Sequence, residues 1–400
     1  MTKDIPVSER AQKVKYAVRN IARAAKELEK QRRKILYLNI GDPGKYDFPT
    51  PKHILDACSN ALYKNHNYYA FSSGIDEARE AIARHAQKKG VSGVASDNVV
   101  VTTGVSEGVD IVMQALLNPG ENLLMPLPNY PLYEAVAHKI GAVPRFYSLD
   151  ESDGWQPDID DMRKKINDKT RGILLINPNN PTGAVYGKRV IQQVIDLAGE
   201  KNLPIVSDEI YSELLFDGEE HIPTASLTHD VPIITFNGLS KNYLAPGWRV
   251  GWLIENNIDP KSAFAATINN LVDARLCSPT PPQFAIKAAL EGPQNHIHET
   301  VRKMQERRDI TFQRLNNIKG VSCVKPRGAF YAFPQLTTSA YSSDEQFVLD
   351  FLHKQGVVVV HGSGFGQKAG TMHFRVVFLP PPELLHSAFD KLEKFMGMFH

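Results

Sequence analysis

The sequence predicts an α/β protein: a mainly parallel central sheet in a large domain, plus a smaller α+β domain. Three observations carry this. The chain has 400 residues, 42% of them hydrophobic, more than one small core can absorb. From about residue 97, short apolar runs rich in β-formers alternate with amphipathic stretches of helical period, the pattern of strands joined by crossover helices. From about residue 293 that alternation stops.

In order, residues 8 to 34 read as a helix ending in the basic run Arg32-Arg33-Lys34, a solvated helix end rather than a phosphate patch. The Gly- and Pro-rich loop NIGDPGKYDFPTP follows. NVVVTT reads as a strand and SEGVDIVMQALL as a helix. ENLLMPLP, PLYEAVAHKIG, AVPRFYSL, IDDMRKKI, RGILLINP, RVIQQVIDLAGEK and LPIVSDE continue the alternation, and PIITFNG and RVGWLIE add two strands. After residue 293 come the charged helix HETVRKMQERRDITFQRL, the short strands VSCVKP, AFYAFP, VVVVHG and MHFRVVFL, and a last helix at PELLHSAFDKLEKFMG. The expected division is a large domain over 49–292 and a small domain built from 1–48 and 293–400.

Composition narrows the function classes. Lys and Arg number 46 against 44 Asp and Glu, a formal net charge of +2, so nothing selects a nucleic-acid partner. Three cysteines, Cys58, Cys277 and Cys323, lie far apart without CxxC spacing, which indicates neither a disulfide framework nor a zinc site. The charged stretch MTKDIPVSERAQKVKYAVRN has no apolar signal core, and no apolar run reaches membrane-span length. The expectation is a cytoplasmic protein without a metal.

Open α/β sheets gather ligands at the carboxyl ends of their strands, and several chemically capable residues follow strand-like runs. Asp208 follows LPIVS, with Tyr211 three positions on. Ser240 and Lys241 follow PIITFNG, with Arg249 eight positions after the lysine. A lysine after a strand is usually a solvated cap, and an acid there pairs with a structural arginine about as often as it serves a site. Together they match another list: an amine that condenses with an aldehyde, an acid facing a ring nitrogen, and a serine and arginine for a phosphate. Burial and nearby cations lower a lysine pKa and make it a nucleophile and proton carrier. NPNNPTG, residues 177–183, is a stiff turn that fixes the amide of Asn180. Tyr130, in PLPNYPLY, is either core or a ring stacked on a cofactor. Arg375, inside MHFRVVFL, either pairs locally or clamps a carboxylate with its fork.

Gly104-Val105-Ser106-Glu107-Gly108 has two readings. It fits GxSxG, which would make Ser106 the nucleophile of a serine hydrolase. It also fits a phosphate cradle at a helix N-terminus. The hydrolase leaves Lys241, Asp208 and NPNNPTG without roles, so the cradle is preferred. GSGFG (362–366) lacks the context of a dinucleotide site, and His296-Ile297-His298-Glu299 reads as a helix start.

With LNIGDP, HNYYAFSSG, WQPDIDDMRKKI, INPNNPTGAVY, SDEIY, NGLSKNY, PGWRVGW, RLC and VSCVKPRGAFYAFP in view, the chain resembles class I, fold-type I aminotransferases that depend on pyridoxal 5′-phosphate (PLP). Within the class it is most similar to the alanine subgroup, over nearly its whole length. The resemblance implies that Lys241 holds the cofactor covalently, Asp208 pairs with its ring nitrogen, and Asn180 and Tyr211 bind its phenolic oxygen. Tyr130 would stack on the ring. The amides of Val105, Ser106 and Glu107 would hold the phosphate with Ser240 and Arg249. Tyr69 would reach the cofactor of a neighbouring subunit, which implies a homodimer with shared sites. Gly41, Asn180 and Arg375 would bind the substrate α-carboxylate, and Tyr16 and Arg19 would contact the second substrate. Many aspartate-type members carry a serine three residues before the lysine, where this chain has Gly238, so one phosphate contact is expected to be missing.

The implied reaction is amino transfer between L-alanine and 2-oxoglutarate by ping-pong kinetics. Alternatives within the class are aspartate or aromatic transamination and, on the same fold, a PLP-dependent lyase or decarboxylase. A non-catalytic PLP-binding regulator fits poorly with a chain that has little surplus positive charge.

Overall fold

Eight strands build the central sheet of the computed structural model, which describes residues 5–14 and 17–399. They are β1 (Val99–Thr102), β2 (Asn122–Leu127), β3 (Arg145–Asp150), β4 (Gln156–Pro157), β5 (Thr170–Ile176), β6 (Ile205–Asp208), β7 (Ile233–Gly238) and β8 (Gly251–Asn256). Their order is β1-β8-β7-β6-β5-β2-β3-β4. From β7 across to β3 the neighbours pair in parallel. β8 runs antiparallel to β1 and β7, and β4 antiparallel to β3.

Both faces of this sheet are covered, which is why its strands read as unbroken apolar runs rather than as alternation. The period-2 rule still decides which side chain goes where. Leu174 and Ile176 of β5, Val206 of β6 and Ile234 of β7 face one core with Val109, Val112 and Ile268. Ile173, Leu175, Ile205 and Ile233 face the other. That second core runs from Ile21 to Met396 and reaches the short sheets of the carboxyl-terminal part.

There, Phe374–Val377 lies between Tyr331–Ala332 and Val360–His361, antiparallel to both. Leu36–Tyr37 pairs in parallel with Val357–Val358, tying the amino-terminal stretch to the carboxyl-terminal one. The helices Asn295–Asn317 and Pro382–Met396 pack on each other.

The amino-terminal helix differs from the expected single element over 8–34. Helices span Glu9–Gln12 and Ala17–Lys30. The second closes because Arg32 adopts φ 63° and the Arg33 amide reaches back to the Leu28 carbonyl at 3.2 Å, a left-handed stop that takes Arg32–Lys34 out of the helix. Helices Lys52–Tyr63, Asp76–Lys88, Pro131–Ile140, Lys188–Glu200 and Ala263–Ala274 are among those that precede, connect or follow the strands of the central sheet.

The chain reverses its direction of travel across the sheet at β2 and β5. β3 follows β2 to one side, while β6 and β7 step away from β5 on the other. That switch point opens a crevice at the carboxyl ends of the parallel strands, and the site lies there.

Candidate active site

β6 ends on Asp208 and β5 leads into Asn177–Gly183, so Asp208 and Asn180 leave the sheet side by side; the Asn177 amide donates to the Asp208 carbonyl at 3.0 Å. β7 ends at Gly238 and delivers Ser240 and Lys241 to the same edge. Gly238 is forced by packing: a Cβ there would lie 2.7 Å from the Val250 carbonyl oxygen and 2.9 Å from Gly251 Cα. The close approach of β8 therefore leaves no room for a serine at this position.

These residues surround a cavity of about 700 Å³. Its lining includes Gly41, Val105, Ser106, Tyr130, Asn180, Asp208, Tyr211, Ser240, Lys241, Arg249 and Arg375, all singled out from the sequence, and also Asp42, Lys45 and Tyr331.

Two titratable groups, the half-buried Lys241 and the buried Asp208, define the electrostatics. Lys241 Nζ donates to the Gly41 carbonyl at 2.7 Å. Burial lowers its pKa to about 8; Asp42 opposes the shift, and Arg375 and Arg249 add to it. The neighbouring cations are thus the smaller cause, behind desolvation. Burial pushes Asp208 up to about 6, against a hydrogen bond from the Tyr133 hydroxyl at 2.7 Å. Tyr133 is fully buried.

Arg375 is 2% exposed. Its Nη1 donates to Asn180 Oδ1 at 2.9 Å and its Nη2 to the Asn39 carbonyl at 2.6 Å. The guanidinium lies between the rings of Tyr331 (4.6 Å) and Phe365 (4.4 Å). The Tyr211 and Tyr331 hydroxyls are 2.8 Å apart. Burial raises both pKa values, that of Tyr331 to about 12.

Opposite this polar group, the helix Val105–Leu116 begins at the cavity wall, with Gly104 at φ 72° as its N-cap. Arg249 sits at φ 56°, its Nη1 donating to the Pro246 carbonyl at 3.1 Å. A Cβ on Gly104 would come within 2.4 Å of Arg249 Nη2. A guanidinium pressed against a helix N-terminus brings two positive ends together, an arrangement suited to a phosphate.

Comparison with known proteins agrees with this geometry. Residues 33–392 match the family described as aminotransferase class I and II. The chain is 40% identical to the glutamate-pyruvate aminotransferase AlaA of Haemophilus influenzae over 98% of both proteins. It is 41% identical to the alanine aminotransferase of Mycobacterium bovis, over 97% of this chain and 92% of that one. Among solved structures, the alanine aminotransferase of Pyrococcus furiosus superposes with a TM-score of 0.95 at 46% identity, covering 98% of this chain and all of that one.

The chain belongs to the class I and II aminotransferase family.

As an aminotransferase it uses pyridoxal phosphate, and its cavity fits that group. The Arg249–helix cradle suits the phosphate, Asp208 a ring nitrogen, and the Lys241 amine an aldehyde. The hydrolase reading of GxSxG is overturned by the family. Ser106 opens a helix at the cradle, and no histidine lines the cavity among the described residues.

Some residues singled out from the sequence lie elsewhere. Glu107 does not line the cavity: its amide donates to the Gly104 carbonyl at 3.1 Å, and its carboxylate accepts from the Thr103 amide at 2.7 Å and Arg275 Nε at 3.2 Å. Tyr69 is 81% exposed and outside the cavity. Arg19 lies on the helix Ala17–Lys30, but its side chain, like Tyr16, falls outside the described residues.

Sequence reasoning assigned no role to Tyr133 or Tyr331, although both lie in segments it quoted. Tyr133 carried one signal: it stands three positions after Tyr130, at the spacing that puts two side chains on one side of a helix start. Tyr331 carried none, since its hydroxyl meets Tyr211 only through the packing of the two parts of the chain.

Proposed function

We propose that this aminotransferase moves the amino group between L-alanine and 2-oxoglutarate, giving pyruvate and L-glutamate by a ping-pong sequence. The relatives named alanine or glutamate-pyruvate aminotransferase support the substrate pair. One observation carries the chemistry: a half-buried amine, Lys241, three residues past the end of one strand, and a buried acid, Asp208, at the end of its neighbour, share one cavity that also holds the arginine clamp Arg375.

Pyridoxal phosphate, when bound, supplies the electron sink that makes the substrate Cα–H bond acidic. Asp208 holds a proton at the ring nitrogen, and the Tyr133 hydrogen bond keeps the carboxylate oriented. Arg249, Ser240 and the first amides of the helix Val105–Leu116 bind phosphate. Asn180 and Tyr211 would bind the phenolic oxygen, and Tyr130 would stack on the ring. Arg375, set by Asn180 and the Asn39 carbonyl, fixes the α-carboxylate with Gly41 beside it, which leaves the Cα–H bond facing Lys241. Lys241, its pKa lowered to about 8 mainly by burial, would take that proton at Nζ and return it on the other side of the transfer.

The same reading assigns Tyr69 to a partner's site in a homodimer, with Tyr16 and Arg19 toward the second substrate. It divides the chain into 49–292 and 1–48 with 293–400, and places it in the cytoplasm. No described helix is long and apolar enough to cross a membrane.

The test is a panel of amino donors with the purified, cofactor-loaded protein. Repeated turnover of alanine to pyruvate is expected only when 2-oxoglutarate is present, with no more than one pyruvate per chain formed without it, and alanine is expected to give the highest kcat/KM. Continuous release of pyruvate and ammonia from serine or cysteine without an acceptor would instead indicate a lyase, and a higher kcat/KM for aspartate or tyrosine would move the assignment within the class.

A further inference from the structure

Tyr331 belongs to the strand Tyr331–Ala332, which crosses from the carboxyl-terminal part to the cavity wall. Three contacts meet on this one buried side chain. Its hydroxyl is 2.8 Å from that of Tyr211. Its ring lies 4.6 Å from the Arg375 guanidinium, opposite Phe365. A Cβ on Gly41 would fall 2.4 Å from its hydroxyl oxygen, so the backbone whose carbonyl holds Lys241 packs directly on it.

Other buried tyrosines of the chain lack this combination. Tyr147 donates to the Leu174 carbonyl at 2.9 Å, and Tyr186 accepts from Asn179 at 3.3 Å; neither lines the cavity. Tyr331 is paired instead with a second hydroxyl that itself faces the cavity. Each phenol has one proton to donate. If Tyr211 gives its proton to an oxygen in the cavity, its own oxygen can only accept, and Tyr331 is the neighbour that donates to it.

We infer that Tyr331 is a positioning residue that acts on both partners of the reaction: its hydroxyl aims the Tyr211 proton at the cofactor's phenolic oxygen, and its ring holds the Arg375 guanidinium in the plane that receives the substrate carboxylate. The two functions are separable because they use different atoms. Donation from Tyr331 makes Tyr211 a stronger donor, which lowers the basicity of the phenolic oxygen. The ring acts through the aromatic face beneath the cation and needs no hydroxyl.

The inference rests on the cofactor reading of the site, so the experiment begins with borohydride reduction of wild-type protein loaded with pyridoxal phosphate. Absence of label on Lys241 sinks that reading. With label in place, four variants are compared: Tyr331→Phe, Tyr331→Leu, Tyr211→Phe and the double Tyr211→Phe/Tyr331→Phe. The readouts are the pH midpoint of the bound cofactor's visible absorption band and the KM for alanine and 2-oxoglutarate. Tyr331→Phe is expected to raise the midpoint by about 0.5 unit or more and to change KM less than about threefold. Tyr331→Leu is expected to raise both KM values about tenfold. On the Tyr211→Phe background, losing the Tyr331 hydroxyl should shift the midpoint by less than about 0.2 unit, because the hydroxyl acts only through Tyr211. A midpoint in Tyr331→Phe equal to wild type, or equal shifts with and without Tyr211, overturns the inference. Tyr331→Phe removes one oxygen atom, so its result decides the hydroxyl's role even where Tyr331→Leu fails to fold.

Discussion

Asp208 and Lys241 share one low-dielectric pocket, and burial moves each toward its uncharged form, Asp208 up to about 6 and Lys241 down to about 8. In the cofactor-free protein this costs stability. Asp208 titrates higher in the folded chain than in the unfolded one, so between its ordinary value near 4 and about 6 the folded state holds the extra proton and stability falls as pH rises. Above that window the penalty is complete. Asp208→Asn should therefore stabilise the cofactor-free protein at pH 7.5, by up to roughly 2 kcal/mol, while abolishing transamination. The gain should fade as pH drops toward 4, which urea unfolding at the two pH values measures. Arg375 makes the opposite case, since its charge is already met by Asn180, the Asn39 carbonyl and two rings. Arg375→Ala should raise KM for every amino and oxo acid by about a hundredfold or more, the cost of a lost charge-assisted fork; steady-state kinetics with alanine and 2-oxoglutarate checks it. At this scale the cavity positions of Lys241, Asp208, Asn180 and Arg375 were legible because each lies in or just after a recognisable strand or turn. Tyr133 and Tyr331 were not. A tyrosine in an apolar run looks the same whether its hydroxyl meets a carbonyl or an active-site acid.

Among the elements, the junction of β1 with the helix Val105–Leu116 forms the proposed phosphate cradle. Gly104 is required twice, by its φ of 72° and by the Arg249 guanidinium that occupies the space of its Cβ. Gly104→Ala should push Arg249 off the helix N-terminus and weaken cofactor binding about tenfold or more, as should Arg249→Ala. Fluorescence titration of cofactor-free protein measures both, and unchanged affinity in the two variants would remove the phosphate assignment. The strands themselves were readable because both sheet faces are buried and leave continuous apolar runs. The amino-terminal helix was misjudged in extent, because its stop is made by Arg32 in a left-handed conformation and such a conformation in a basic residue leaves no sign in a hydrophobic pattern. Gly238 illustrates a third case. Its sequence signal was an absent hydroxyl, whereas the cause is the close approach of β8.

The whole molecule exposes Tyr63, Tyr69, Phe71 and Leu276 at 89%, 81%, 76% and 57%. The loop that carries Tyr69 is tied to the segment after Leu276, with Thr280 Oγ1 donating to the Tyr68 carbonyl at 2.7 Å. Exposed large apolar side chains of this kind are what an interface uses, and the proposed homodimer would bury them. Phe71→Glu with Leu276→Glu should convert a species of twice the chain mass to one of the chain mass by light scattering, and should reduce activity by taking Tyr69 away from the partner's site. The most direct measurement concerns Lys241 itself. The purified protein is incubated with pyridoxal phosphate, reduced with borohydride and digested, and its peptides are mapped by mass. The account predicts one cofactor-derived mass addition per chain, on the peptide containing Lys241. Protein that stays colourless and unlabelled, or a label confined to another lysine, would contradict it.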